Sequence, residues 1–200
     1  MKRVSNLSLF HSAGFLPAIF DKEKKKHVGN LFIDGQMTSD TYFDGEVVVI
    51  DLEGNILPSK FDGDVFIFTV TDRDFRCDCK VPGGTSNEGE NKYQTLVREI
   101  FEETHCDVRR ALQFRRERYG EHSRNFFVID TVPDLELTEI RFSYAGKEKL
   151  KISWTDIVSF SCCLFKNQRS AFKQLVKILA KNKTFSLRYP GLVEYPFVGR

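Results

Sequence analysis

Short β-branched and alternating runs dominate the chain from Glu46 onward. Residues 46–52, EVVVIDL, are mostly apolar and end at the turn signal Glu53-Gly54-Asn55, which predicts a strand. A second strand is expected over 65–71, and a third over 75–81, where FRCDCKV alternates before Pro82-Gly83-Gly84 stops it. Residues 92–104 carry helical spacing. Strands are then expected at 109–118 and 125–131, with one or two more inside 140–153. A last helix over 167–181 would pack through Phe172, Leu175, Val176 and Leu179. Sheet, helix, sheet, helix is the element order of an α+β fold with a mixed sheet.

The ends are patterned differently. Residues 1–45 read as an N-terminal extension packed on the body, 46–183 as the main domain, and 184–200 as an irregular C-terminal strap containing Pro190, Gly191 and Pro196. The first twenty residues begin basic and turn partly apolar, but His11, Ser12 and Gly14 interrupt the run. A short strand or packing arm fits better than a signal peptide. The run Asp21 to His27, DKEKKKH, is expected to be a solvated turn between strands.

Composition narrows the picture. Thirty Lys and Arg against 28 Asp and Glu leave a net charge of +2 over 200 residues, so nonspecific coating of nucleic acid is not favoured. No apolar run approaches the ~18 residues of a membrane span. The 19 Phe are most simply core. Five Cys, an odd number without zinc-knuckle spacing, are expected to be free thiols in a reducing, cytoplasmic setting.

The chemistry concentrates in residues 82–108, PGGTSNEGENKYQTLVREIFEETHCDV. On the 92–104 helix, Tyr93, Leu96, Val97, Ile100 and Phe101 are assigned to one apolar arc and Arg98, Glu99, Glu102 and Glu103 to the opposite one. Glu99, Glu102 and Glu103 would then project together and repel by a few tenths of a kcal/mol per pair. Arg98 can reach Glu102 one turn on. A divalent cation would neutralise the rest, and oxygen-only ligands select a hard ion, Mg²⁺ or Mn²⁺. Taken alone, such an acidic helix face could equally be a solvated surface.

The spacing adds weight: Gly84, five residues, Glu90, seven residues, Arg98-Glu99-Ile100, one residue, Glu102-Glu103. This resembles the signature of the Nudix hydrolases, with seven specified positions matched over about 23 residues. The chain departs from it where His105 replaces the Gly that ends the helix and Cys106 takes the next aliphatic position. A left-handed non-glycine residue there would cost about 1–2 kcal/mol, and His105 is read as a cap.

The resemblance implies a Nudix-type α/β/α sandwich and a pyrophosphohydrolase that cleaves a diphosphate bond, in a nucleotide or another diphosphate compound, with Mg²⁺ or Mn²⁺. It implies Glu99 and Glu103 as the main metal ligands, with Glu102 and the Gly84 carbonyl completing the set. Glu103, Glu99 and Arg98 would form the catalytic group and Glu90 would support it. The general base is assigned to Glu103 or to an acidic residue outside the box, with Asp134, Glu136 and Glu139 as candidates. Six Arg lie within 109–124, and Arg115, Arg116 and Arg118 are the candidates for substrate phosphate. Phe43, Phe114, Tyr119 and Trp154 could stack on a base but are expected in the core. Two alternatives stand beside this: a non-catalytic Nudix-fold binding or regulatory module, and an RNA-cap or RNA-end processing enzyme.

Overall fold

The computed structural model describes residues 9–72 and 79–196. Eleven strands fall into two sheets among these residues. The first sheet has the order β7 (Gly83–Thr85), β1 (Phe10–Phe15), β9 (His122–Asp130) and β8 (Arg110–Tyr119). β1 runs parallel to β9 and antiparallel to β7, so this sheet is mixed as expected. The second sheet is antiparallel, in the order β10 (Arg141–Ala145), β11 (Glu148–Asp156), β6 (Asp64–Asp72), β2 (Pro17–Phe20), β3 (His27–Met37), β4 (Phe43–Asp51) and β5 (Ile56–Leu57). Only Leu16 separates β1 from β2, so one continuous stretch of chain joins the two sheets.

The inner strands β1, β2 and β9 are buried on both faces over most of their length. β9 sends Phe127 and Ile129 towards Leu96 and Ile100 of α1 (Lys92–Thr104). Its alternate residues Phe126 and Val128 enter a second cluster with Phe160 of α2 (Ile157–Cys163) and Phe172, Leu175 and Leu179 of α3 (Arg169–Leu179). The outcome is an α/β/α arrangement of α+β class. Phe15 lies against Phe114, Phe160 and Phe172 with ring centroids 5.9–6.3 Å apart, which accounts for part of the phenylalanine excess as core.

Several expectations need correcting. Residues 10–37 are not an extension: β1 sits between β7 and β9, β2 between β6 and β3, and the expected boundary at 45/46 falls inside β4. Strands covered on both faces lose the polar alternation that would have announced them. The C-terminal segment is helical, with α4 (Lys183–Arg188) and α5 (Pro190–Glu194) burying Phe185 and Leu192 in the core. Of the strand expected at 75–81, residues 75–78 lie outside the described residues, while Cys79 and Lys80 form isolated bridges to Leu164 and Val70. Cys79 and Cys163 are joined by a disulfide, so the free-thiol reading fails for this pair. With it goes the argument for a reducing compartment, because such bonds persist in oxidising environments.

Among the described residues no helix is long and apolar enough to cross a membrane. Residues 21–26 form the expected turn between β2 and β3, with Asp21 accepting hydrogen bonds from the Glu23 and Lys24 amides.

Candidate active site

The helix α1 begins at a capping box. The Asn91 side chain accepts from the Tyr93 and Gln94 amides, and the Gln94 side chain accepts from the Asn91 amide at 2.9 Å. It ends at His105, whose φ of 58° is left-handed and whose N–H donates to the Phe101 carbonyl at 2.8 Å. The imidazole meets the Phe101 ring edge-on, as a cap residue would.

Between these ends the helix does not divide as the sequence suggested. Thr95, Leu96, Ile100, Glu103 and Thr104 form the buried face, whereas Tyr93 and Phe101 are exposed. Leu96 and Glu103 are seven residues apart, which places them within about 20° on a helix of 3.6 residues per turn. Glu103 therefore points inward and is only 4% exposed. Its Oε2 accepts the Gly83 N–H at 2.9 Å.

Glu99 lies against the next residue. A Cβ added at Gly84 would sit 2.2–2.4 Å from the Glu99 carboxylate, so no side chain can replace this glycine without displacing that group. Gly83 is equally constrained, since a Cβ there would meet the Ser12 carbonyl oxygen at 2.3 Å. Both glycines let β7 pass close to its neighbours, and β7 in turn holds Glu99 and Glu103 at the sheet edge.

Arg98 holds more of the cluster than expected. Its guanidinium contacts Glu90 at 2.6 Å, Glu99 at 2.7 Å and Glu102 at 3.1 Å, and donates to the Thr85 carbonyl at 2.9 Å. Glu90 also accepts from the Asn87 amide and the Thr95 hydroxyl. The Arg98 hydrogen bonds, with those from Asn87 and Thr95, hold the Glu90 carboxyl down at about 2. The same carboxylates keep Arg98 firmly cationic. Glu102 points outward, its side chain 49% exposed.

Glu103 is left without an ion-pair partner among the described residues. Burial pushes its carboxyl up to about 7; the Gly83 N–H and the Lys80 charge pull the other way, and Glu99 and Glu148 push further up. Glu99 is also raised, chiefly by burial, with Arg98 opposing and Glu102 and Glu90 adding to it. Two carboxylates thus converge on Gly83-Gly84 at a net deficit of positive charge. That deficit and the all-oxygen donor set fit a hard divalent cation in kind. Among the described residues, however, no three acidic, imidazole or thiol groups form a ready-made cage.

Other candidates lie elsewhere. Arg115 contacts Glu117 at 2.8 Å and donates to Gln174, while Arg116 and Arg118 both grip Asp40, at 3.0 and 2.6 Å. None of these partners belongs to the acidic group, so the structure does not support the three arginines as free phosphate ligands there. Asp134 and Glu136 line a separate cleft with Lys24–Lys26 and His27, and Glu139 is held by Arg141. Phe43, Phe114 and Trp154 are core, the last donating its indole N–H to the Leu135 carbonyl. Tyr119 is half exposed, with Arg124 4.8 Å over its ring.

Two groups were missed from the sequence. Glu148 acts on Glu103 electrostatically from the start of β11, and no motif marks it. Asp130 is fully buried, paired with Arg109 at 2.9 Å and hydrogen-bonded by Asn30 at 2.7 Å, a polar network inside the fold that periodicity could not reveal.

No family model matches this chain. No curated protein matches it either. Among solved structures it is similar in fold to MutT, from work on the fish pathogen Aliivibrio salmonicida and the mesophile Vibrio cholerae, at 17% identity and a TM-score of 0.45, covering 86% of this chain and 95% of that one. It is also similar to a chain assigned to the nudix hydrolase family from Chromobacterium violaceum, at 14% identity and a TM-score of 0.46, covering 95% of this chain and 90% of that one. The superpositions span most of each chain but are loose, and the site stands on its own residues.

Proposed function

We propose that this chain is a Nudix-type hydrolase that cleaves a diphosphate bond with the help of Mg²⁺ or Mn²⁺. The observation that carries this is the placement of Glu99 and Glu103 against Gly83-Gly84, inside a box of seven matched positions, with Glu103 buried and without an ion-pair partner among the described residues. Glu99, Glu103 and the Gly84 carbonyl are the groups that would hold the cation, with Glu102 available at the rim. A bound divalent ion supplies charge neutralisation at phosphoryl oxygens and acidifies water.

The protein's own residues then have distinct tasks. Arg98 holds Glu90, Glu99 and Glu102 in register, so the acidic cluster stays assembled despite its repulsion. The Gly83 N–H fixes one oxygen of Glu103 and leaves the other free. Glu103 is proposed to share in holding the cation and, through that second oxygen, to take the proton from the attacking water. The substrate would be a small diphosphate compound such as a nucleotide derivative.

One observation favours a second reading, a non-catalytic binding module: Arg98 already neutralises much of the acidic charge, as a purely structural ion network would. Incubating the purified protein with a panel of diphosphate compounds and Mg²⁺ or Mn²⁺ separates the two. Metal-dependent phosphate or nucleotide release supports the hydrolase. Metal binding without release from any compound favours the module.

A further inference from the structure

Across the Gly83–Thr85 strand from Glu103 stand two cations, Lys80 and Arg124, that make no ion pair among the described residues, although the Lys80 charge still acts on Glu103 at a distance. His11 on β1 and Arg124 on β9 stand side by side in the parallel pairing. Together with Lys80 and Gly83 they line a cavity of about 170 Å³ that also touches Phe126. Phe126 belongs to the core cluster away from α1, so this cavity opens on the face opposite Leu96 and Ile100. It nevertheless shares Gly83 with the Glu103 site.

Among the described residues neither Lys80 nor Arg124 makes an ion pair with a carboxylate. The Nδ1 of His11 is buried and has no hydrogen-bond partner among the described residues. Burial, with Arg124 and Lys80 adding to it, holds His11 down at about 4, so its imidazole is neutral at pH 7 and presents one N–H and one acceptor nitrogen. Two cations and an unsatisfied ring nitrogen around one small cavity are completed by an anion that accepts hydrogen bonds.

Size restricts that anion. At about 170 Å³ the cavity is smaller than the ~300–1,000 Å³ of sites that enclose whole organic ligands, so it suits a phosphate-sized group. A neighbouring cleft of about 330 Å³ shares His11 and Arg124 and is lined by the exposed Tyr119. It has room for the organic part of the same molecule.

We propose that Lys80 and Arg124, with His11 between them, form an anion site that binds a phosphate group of the substrate across the Gly83–Thr85 strand from Glu99 and Glu103. The assignment of that phosphate to a substrate rests on the hydrolase reading; the anion site itself does not. On this account the pair selects substrates whose diphosphate or attached group carries negative charge on that side of the strand.

Titration of inorganic pyrophosphate into the metal-free protein in EDTA, followed by calorimetry, tests it. Wild type is expected to bind. Lys80→Gln and Arg124→Gln should each weaken binding at least about tenfold, the low end for a lost charge-assisted hydrogen bond. Arg124→Lys, which keeps the charge, should fold and stay within about threefold of wild type. The Glu99→Gln, Glu103→Gln double variant should bind at least as tightly as wild type, since it removes negative charge nearby. Unchanged affinity in both glutamine variants at Lys80 and Arg124, or loss of binding in the Glu99, Glu103 double variant, would overturn the assignment. Because no metal or turnover is involved, failure of the hydrolase reading leaves this result untouched.

Discussion

Glu103 and Gly83 are bound to one another at 2.9 Å, carboxylate oxygen to backbone N–H, twenty residues apart in sequence. The bond ties the buried side of α1 to the edge strand of the first sheet. It also satisfies one oxygen of a carboxylate that has no counter-ion among the described residues. A cation added there would offset buried charge, whereas a solvated surface cluster would gain little.

Metal should therefore stabilise the fold. Millimolar Mg²⁺ or Mn²⁺ is expected to raise the melting temperature, by roughly 2–4 °C for each kcal/mol of binding free energy in a protein of this size. The rise should shrink in the Glu99→Gln, Glu103→Gln double variant. Differential scanning calorimetry across a metal titration checks this, and a flat response in wild type counts against the site.

The metal-free protein should show opposing pH dependences. Glu103 ionises near 7 when folded against an ordinary value of 4.5, so the unfolded chain loses its proton first and stability falls as pH rises through that window. His11 titrates near 4 when folded against 6.5, so the unfolded chain binds protons there and stability rises with pH over that range. Glu103→Gln removes the Glu103 contribution and leaves that of Glu99, which is also raised, so stability of the variant should rise more, or fall less, with pH than wild type between 4.5 and 7. Urea titrations of both proteins in EDTA read the slopes. Parallel profiles would mean that Glu103 is not perturbed by burial.

The helix exit gives a third expectation. His105 occupies φ 58°, where a Cβ is unfavourable, so His105→Gly should be neutral or stabilise by up to about 1 kcal/mol. A loss of more than about 1 kcal/mol would show that the imidazole's edge contact with Phe101 outweighs the backbone strain.

The disulfide gives a fourth. It links Cys79, four residues before Gly83, to Cys163 at the end of α2, across a sequence separation of 84. Opening a bond that closes a loop of that length costs about 2–5 kcal/mol of stability, so reductant should lower the melting temperature by several degrees or more. An unchanged melting curve with fully titrated thiols would contradict the role of this link.

How much of this was legible depended on periodicity and spacing. The limits of α1 were readable because a helical pattern over 92–104 and a signature of fixed spacing coincide there, with His105 read as the cap that ends it. Its inward carboxylate was misplaced by assigning Glu103 to the arc opposite Leu96, although seven residues return almost to the same side. The first twenty residues were legible as a short strand or packing arm, but not as two inner strands, because His11, Ser12 and Gly14 break the apolar run of a segment that is largely buried. α2, α4 and α5, at five to seven residues, offer too few turns for a period to emerge. The Cys79–Cys163 link and the Lys80–Arg124 pair are contacts made by tertiary folding, and nothing local marks them.

The most direct test is the rate of diphosphate hydrolysis by Glu103→Gln in saturating Mg²⁺, using whichever compound wild type cleaves fastest. Glutamine keeps the size and helix propensity of the residue and removes a buried charge, so the variant should melt no lower than wild type without metal. The account predicts that kcat falls at least about 100-fold, the scale of a lost general base or metal ligand. A folded Glu103→Gln protein that hydrolyses at the wild-type rate would contradict it, and would leave the box as a structural network held by Arg98.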